Sequence, residues 1–467
     1  MQPAVQRLYS LLFALSLLAL NPWGETRGEI WTVPKIGVLI ALYGLNLVLL
    51  WRKPLRFHSY HWLSLIFWGA WLGLGAIAVL ESPIPRRAFW GQDEMGDGWF
   101  YWAVLANFTL SNTALLRQYP HLLRSQLKGL LLGGVVLVLA MIPQLIDWRI
   151  DYTQTMGELL RPGILRSTIF QDHQPIGTYS HRGHVAFVLS FLCILLLLLR
   201  QWRWLSREKT VLGLALFGGM LWMLRTRVGI LVFVVGVLYL FGRRYKRTMI
   251  ALCLLGGLLM GLITFSRPIE GLPLIKQITS DRVYLWHLGR SGIRERPLWG
   301  WGFNGFGVAY AHLVEKHSDN SRRIEVIHDV YYEALTPEGN IEFEMLISNK
   351  AHNLILDTWV STGVFGLISY LGLLGFYAYS AYQAPLARLE VIVIIYVTFT
   401  FTWFEAAQFS HLVWWGLSLA WYRPQTGADS SPPLLPPQLD EKQETPPVGE
   451  SPEDEIPNET GDSLSSS

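Results

Sequence analysis

Apolar residues run along this chain in long unbroken stretches, and short polar clusters punctuate them at near-regular intervals. Windows of roughly 17 to 25 predominantly apolar residues have the length an α-helix needs to cross about 30 Å of hydrocarbon. Read in order, such windows predict about twelve helices by that length criterion. They lie near 7–21, 33–51, 60–80, 99–116, 125–146, 184–199, 209–224, 228–242, 248–265, 353–378, 389–404 and 407–422.

The polar segments between the runs set an orientation. Arg52, Lys53 and Arg56 follow the second span, and Arg117, Arg124 and Lys128 follow the fourth. Arg200, Arg203, Arg207 and Lys209 follow the sixth, and Arg243, Arg244, Lys246 and Arg247 follow the eighth. Basic clusters after every second span are the positive-inside pattern, so both termini are expected in the cytoplasm and the segments after odd-numbered spans outside. The expected fold class is an all-α polytopic integral membrane protein, with about twelve transmembrane helices by the same window length and one large outward loop containing short helices. Membrane helices fill residues 1–266 and 352–423, the large loop 267–351, and a tail 424–467. A second outward segment runs from about 147 to 183. Within the large loop, DRVYLWHLGRSGIRE places Val283, Trp286 and Ile293 at helical spacing, predicting a short amphipathic helix on the membrane surface.

Composition supports the class. Hydrophobic residues make up 51% of the 467 residues and charged residues only 16%, where a soluble chain carries about a quarter charged. Mean hydropathy is +0.30. Cys193 and Cys253 lie inside apolar runs, which leaves no disulfide framework and no cysteine metal site. The first run, LYSLLFALSLLAL, resembles a signal-peptide core but lacks a basic cluster and a small-x-small cleavage site, so a retained helix is expected. The tail is rich in proline and acid with one lysine, Lys442, and is expected to be disordered and cytoplasmic. Because the whole chain is +3, the membrane body is more basic than that figure, and the part of that charge in outward loops suits an anionic substrate.

Candidate chemistry gathers where the large loop meets the tenth span. His352 and Asn353 begin AHNLILDTWVSTGVFGL, with Asp357 one turn on. Two readings stand: Asn353 caps a helix beside an interfacial histidine, or a neutral imidazole takes a proton from an acceptor hydroxyl. His352, Leu356, Trp359, Gly363 and Gly366 fall on roughly one helical face, and the glycines would admit a neighbouring helix. Arg225 and Arg227 occupy an outward turn, where charge bias gives no reason for basic residues, and guanidinium forks suit phosphate oxygens. Arg282, Arg290 and Arg294 add cations on the loop, as does Arg182 in SHRGH. His181 and His184 flank that arginine, and His312 and His317 form a second pair, without a third ligand at metal-site spacing. No Walker loop, GxGxxG, HExxH or EF-hand occurs in a suitable context.

Three of these stretches together resemble the bacterial O-antigen ligase superfamily, which includes O-antigen polymerases and pilin O-oligosaccharyltransferases. RTRVG resembles its arginine turn, DRVYLWHLGRSGIRERPLWGWGFNGFG its loop segment with Pro297, Gly300 and Gly302, and HNLILDTWVSTGVFGL its His-Asn helix. The chain departs from the pattern at Ser361, where many members carry an acid, and Asp357 is the candidate substitute. The resemblance implies a glycosyltransferase in the bacterial inner membrane, moving a glycan from a polyprenyl-diphosphate lipid to a lipid, protein or glycan hydroxyl on the periplasmic face. Membrane lipids and no nucleic acid are the other implied partners. By the same resemblance His352 is the catalytic residue and Arg227 and Arg282 hold the donor diphosphate. Asn353, Asp357, Arg225, Arg182 and Arg290 then support them, with no metal or other cofactor. The alternatives are a polymerase of the same superfamily and a secondary transporter, for instance of inorganic carbon.

Overall fold

In the computed structural model the described residues are 3–51, 59–145, 175–242, 282–317, 324–328, 331–335, 340–345 and 348–423, with 248, 251 and 255 singly. The remainder of the predicted ninth span 248–265, most of the segment 147–183, the start of the large loop and the tail lie outside them.

The apolar windows form helices close to where the sequence puts them. In chain order these are α1 (Pro3–Leu18), α2 (Val33–Trp51, preceded by a π-helical turn at Gly28–Thr32), α3 (Ser59–Leu80), a short α4 (Pro85–Trp90), α5 (Trp99–Gln118) and α6 (Leu122–Leu145). Next come α7 (Arg182–Gln201), α8 (Arg207–Met223) and α9 (Arg227–Phe241). The loop supplies α10 (Val283–Glu295) and α11 (Gly305–His317), and the chain returns as α12 (Leu354–Tyr382), α13 (Val391–Thr402) and α14 (Ala407–Ser418). Among the described residues five helices are long and apolar enough to cross a membrane: Gly28–Trp51, Tyr60–Leu80, Leu122–Leu145, Arg182–Gln201 and Leu354–Tyr382. The protein is a multi-pass membrane protein.

Helix α7 is apolar on every side because it has protein on every side. Of its most apolar window 94% is buried, and α6, α8, α9, α13 and α14 pack around it. A helix hydrophobic all round belongs either in lipid or in the middle of a bundle. Polar residues inside the bundle are paired across helices. Gln126 donates to Asn112 at 2.7 Å, Asn112 to Ser418 at 2.7 Å, and the Trp415 indole to Gln126 at 2.8 Å. Interhelical hydrogen bonds of this kind fix register where lipid supplies no hydrophobic drive between helices.

The large loop departs from expectation in two ways. Beside its helices it holds a three-stranded antiparallel sheet, β1 (Ile324–His328), β2 (Tyr331–Leu335) and β3 (Ile341–Met345), in that order. The segment IEFEM alternates apolar and polar residues with the two-residue period of a strand, and IEVIH is rich in β-branched residues. The loop is therefore not built of short helices alone. Helix α10 forms as predicted, but its apolar face is turned inward rather than onto a membrane surface. Trp286, Leu288 and Ile293 join Phe306 of α11 and Leu356 and Val360 of α12 in a second small core.

Gly363 is the hinge of this arrangement. Its φ of +69° and ψ of −175° break α12, in a region of backbone space reserved for glycine. The turn after α10 fills the break: Trp301 N–H donates to the Val360 carbonyl at 2.8 Å and Val364 N–H to that of Pro297 at 2.9 Å. A Cβ on Gly363 would collide with the Leu298 carbonyl. The continuous helical face expected from His352 to Gly366 is thus corrected, because loop backbone, not a neighbouring helix, approaches at Gly363. Gly363→Ala should lower stability by at least about 2 kcal/mol through strain alone, read as a lower thermal midpoint in detergent. Gly375→Ala, with nothing near the added methyl, should leave that midpoint unchanged or raised.

Candidate active site

The site forms where the loop turns into α12. Lys350 is pinned first: its Nζ donates to Asp97 Oδ2 at 2.6 Å, with both side chains more than nine-tenths buried. The next peptide, at Ala351, is held from both sides. The Asp357 carboxylate accepts its N–H at 2.6 Å, and the Trp286 indole donates to its carbonyl at 3.1 Å. Asp357 also accepts from the Asn353 N–H at 3.3 Å. Asn353 then caps α12, its side-chain oxygen accepting from Ile355 and Leu356 N–H at 3.1 and 3.2 Å. Between these anchors His352 sits at φ +55°. A left-handed conformation costs a non-glycine residue roughly 1–2 kcal/mol, which the flanking bonds offset.

That conformation turns the imidazole toward the link between α13 and α14. His352 meets Trp403 and Phe404 edge-on, at centroid distances of 4.9 and 4.8 Å. Arg282, just ahead of α10, reaches the same place. It donates to the Thr402 carbonyl, and its guanidinium lies 5.3 Å from the Trp403 ring centre. His181, at the N-cap of α7, lies 5.1 Å from Trp403. Gly183 leaves room for the indole, whose nearest atom would lie 2.8 Å from an added Cβ. One tryptophan therefore gathers two imidazoles and a guanidinium.

Burial dominates the electrostatics. It pushes His352 down to about 3, helped by the positive charge of Arg282 and by His181 and Lys350. It pushes His181 down to about 4, with Arg182 and Arg27 adding to the effect. It also lowers Arg282 from the ordinary arginine value. Both imidazoles are thus neutral at physiological pH. Among the described residues, His352 Nδ1 and Trp403 Nε1 are buried without a hydrogen-bond partner. Behind the turn, Glu405 accepts from the Tyr396 hydroxyl at 2.7 Å, and burial pushes it up to about 8.

The sequence candidates separate clearly. His352, Asn353, Asp357 and Arg282 come together. Asp357 is occupied by backbone N–H groups, which corrects the expectation of a free acid substituting at Ser361: it braces the histidine turn. Ser361 accepts from Gly305 N–H at 3.3 Å and serves to dock the loop. Arg290 is buried in α10. Arg225 and Arg227 are exposed on the turn before α9, and their side chains make no hydrogen bond or ion pair among the described residues. That turn lies at the same end of the bundle, since Gly229 packs on Ala186 in the first turns of α7. Arg182 is exposed beside His181. The His181–His184 pair divides its duties, His181 facing the site and His184 packing on Phe404 and Phe409. Among the described residues no group of three or more His, Cys, Asp or Glu is placed to hold a metal ion.

Residues 212–371 match the family model for O-antigen ligase. Over those residues the chain is similar to the O-antigen ligases. The match covers less than half of the chain, and it includes Arg225, Arg227, Arg282, Arg290, His352, Asn353 and Asp357. His181, Arg182 and Trp403 lie outside it. No curated protein matches the chain. The O-antigen ligase/polymerase superfamily is one of membrane enzymes of the glycosyltransferase/ligase type, so the cluster at His352 is the candidate active site of this domain.

Two outcomes follow from this geometry. Asp357→Asn replaces one of two accepting oxygens by a donor that faces an N–H, so the His352 turn should loosen. Transfer activity should fall at least about tenfold, the worth of one lost hydrogen bond to a charged group, while the protein stays folded. The second concerns pH. An unfolded histidine titrates near about 6.5, whereas folded His352 protonates only near about 3. The unfolded chain therefore binds more protons between those values, and this contribution to stability is lost as pH falls from the higher value toward the lower. The drop in thermal midpoint on acidification should be shallower in His352→Asn than in the wild type.

Proposed function

We propose that this protein transfers a glycan from a polyprenyl-diphosphate carrier to an acceptor hydroxyl, at the end of the bundle that carries His352. The observation that carries the reading is the junction at Trp403. There a half-buried guanidinium and a neutral imidazole whose Nδ1 has no hydrogen-bond partner among the described residues share one indole. A diphosphate supplies the negative charge this cationic, desolvated end lacks. Basic residues at the other end, such as Arg117 beside Tyr60 and Arg388 beside Tyr239, favour a cytoplasmic face there and a periplasmic site in the bacterial inner membrane. Both termini are then cytoplasmic.

In the reaction, the acceptor oxygen attacks the anomeric carbon as the bond from that carbon to the diphosphate oxygen breaks. The electron pair leaves with the diphosphate, and the acceptor proton passes to His352, with inversion at the carbon. Arg282 stabilises the charge growing on the leaving group, and Arg227 is the second cation, its side chain without a hydrogen bond or ion pair among the described residues and at the same end. An imidazole held near about 3 by burial, with Arg282 adding to the effect, is a poor base in the empty site. Donor binding changes this: a close opposite charge raises a histidine's proton affinity roughly ten- to a thousandfold. His352 thus gains basicity when the leaving group it serves is in place. Guanidinium groups supply the electrostatics of the step, and transfer is expected to persist in a chelator.

His352→Ala should lower transfer roughly 10²–10⁴-fold in proteoliposomes supplied with lipid-linked glycan, and Arg282→Ala should lower both transfer and donor binding. Normal transfer by either variant would sink the assignment. Polymerisation differs only in the acceptor. In cells lacking the protein, long lipid-linked glycans should accumulate under the ligase reading and single repeat units under the polymerase reading.

A further inference from the structure

His181 lies outside the matched domain, yet it enters the cluster with a defined tautomer. It is the N-cap of α7: its Nδ1 accepts the Gly183 N–H at 2.9 Å. A ring nitrogen that accepts carries no proton, so in the neutral ring the proton is on Nε2. Nε2 makes no hydrogen bond among the described residues. The ring is tilted 36° against Trp403, which His352 also meets edge-on, and His181 acts electrostatically on His352. The first turn of α7 adds the positive end of a 20-residue helix.

We propose that His181 is a further donor-binding residue, its Nε2–H donating to a diphosphate oxygen beside the Trp403 indole that it shares with His352. This rests on the donor reading above and adds to it a contact from a helix the family match does not include. Two opposite roles then fall to two neutral imidazoles. His181 has its tautomer locked by a backbone N–H and can only donate at Nε2. His352 has no bond locking either nitrogen among the described residues, and so remains able to accept a proton. Because His181 stays uncharged, it contributes a hydrogen bond without adding a third full charge beside Arg282 and Lys350.

The test separates capping from donor contact. Asparagine is among the best N-cap residues, so His181→Asn keeps the α7 cap and removes the outward N–H, whereas His181→Gln keeps a side-chain N–H of similar reach. The full chain in nanodiscs is titrated with polyprenyl diphosphate bearing no glycan, alongside thermal unfolding. His181→Asn should bind roughly tenfold or more weakly, as expected for one hydrogen bond to a charged group, with an unchanged midpoint. His181→Gln should bind closer to the wild type. Inorganic diphosphate should compete with the lipid and show the same loss in His181→Asn. A loss confined to the prenyl lipid overturns the diphosphate contact. Wild-type binding by His181→Asn, or equal weakness in both variants, overturns the role of Nε2–H. Failure of the wild type to bind either probe overturns the donor reading and this inference with it.

Discussion

The two-sided grip on the Ala351 peptide is the constraint on which the site depends. Asp357 holds its N–H and Trp286 holds its carbonyl, so the residue that follows has little freedom. Only then does a left-handed histidine become a stable feature rather than a strained loop. The two grips come from different parts of the chain, one from α12 and one from the loop helix α10. The loop and the membrane helix therefore have to be assembled together before His352 points at Trp403. The Gly363 break makes that assembly possible, because it lets the turn after α10 donate into the interior of α12.

Charge at this end is arranged economically. Lys350 and Asp97 neutralise each other in a buried pair, and a pair of this kind is costly to break and of small net benefit to stability. Its contribution is positional: it ties the residue two before His352 to the start of α5. Glu405, pushed up to about 8, keeps its proton at neutral pH and so adds no negative charge behind the Trp403 turn. What remains uncompensated beside the imidazoles is Arg282. A single guanidinium in a half-desolvated setting acts more strongly on an incoming anion than the same charge in water, and after burial it is the next cause of the depression of His352.

The membrane body was largely legible in the sequence. The window 60–80 became Ser59–Leu80 and the window 99–116 became Trp99–Gln118, because the length of an apolar run is a local property. Asn353 as a cap was legible for the same reason. The sheet in the large loop was missed because only short helices were expected there, although IEFEM carries a two-residue alternation. Asp357 was misread for a different reason. A carboxylate in a first helical turn looks available until the backbone folds back over it, and only the left-handed turn at His352 brings the Ala351 N–H within reach.

Trp403 was hidden most deeply. In the sequence it sits at the end of an ordinary apolar run, and nothing local marks it out. Its significance lies in long-range contacts, with Gly183 from α7, Arg282 from the loop and His352 from the turn into α12. The nearest signal was negative: TWFEAA interrupts the apolar pattern with Glu405 between two spans that need only a tight turn. An acid there requires burial with hydroxyl partners, and Tyr396 provides one. That requirement fixes the turn rigidly, and a rigid turn is what an aromatic side chain needs if it is to hold three functional groups in register. Residues split between the two halves of the bundle can then act as one site, because their common neighbour is an indole held at the end of a buried helix rather than a mobile loop.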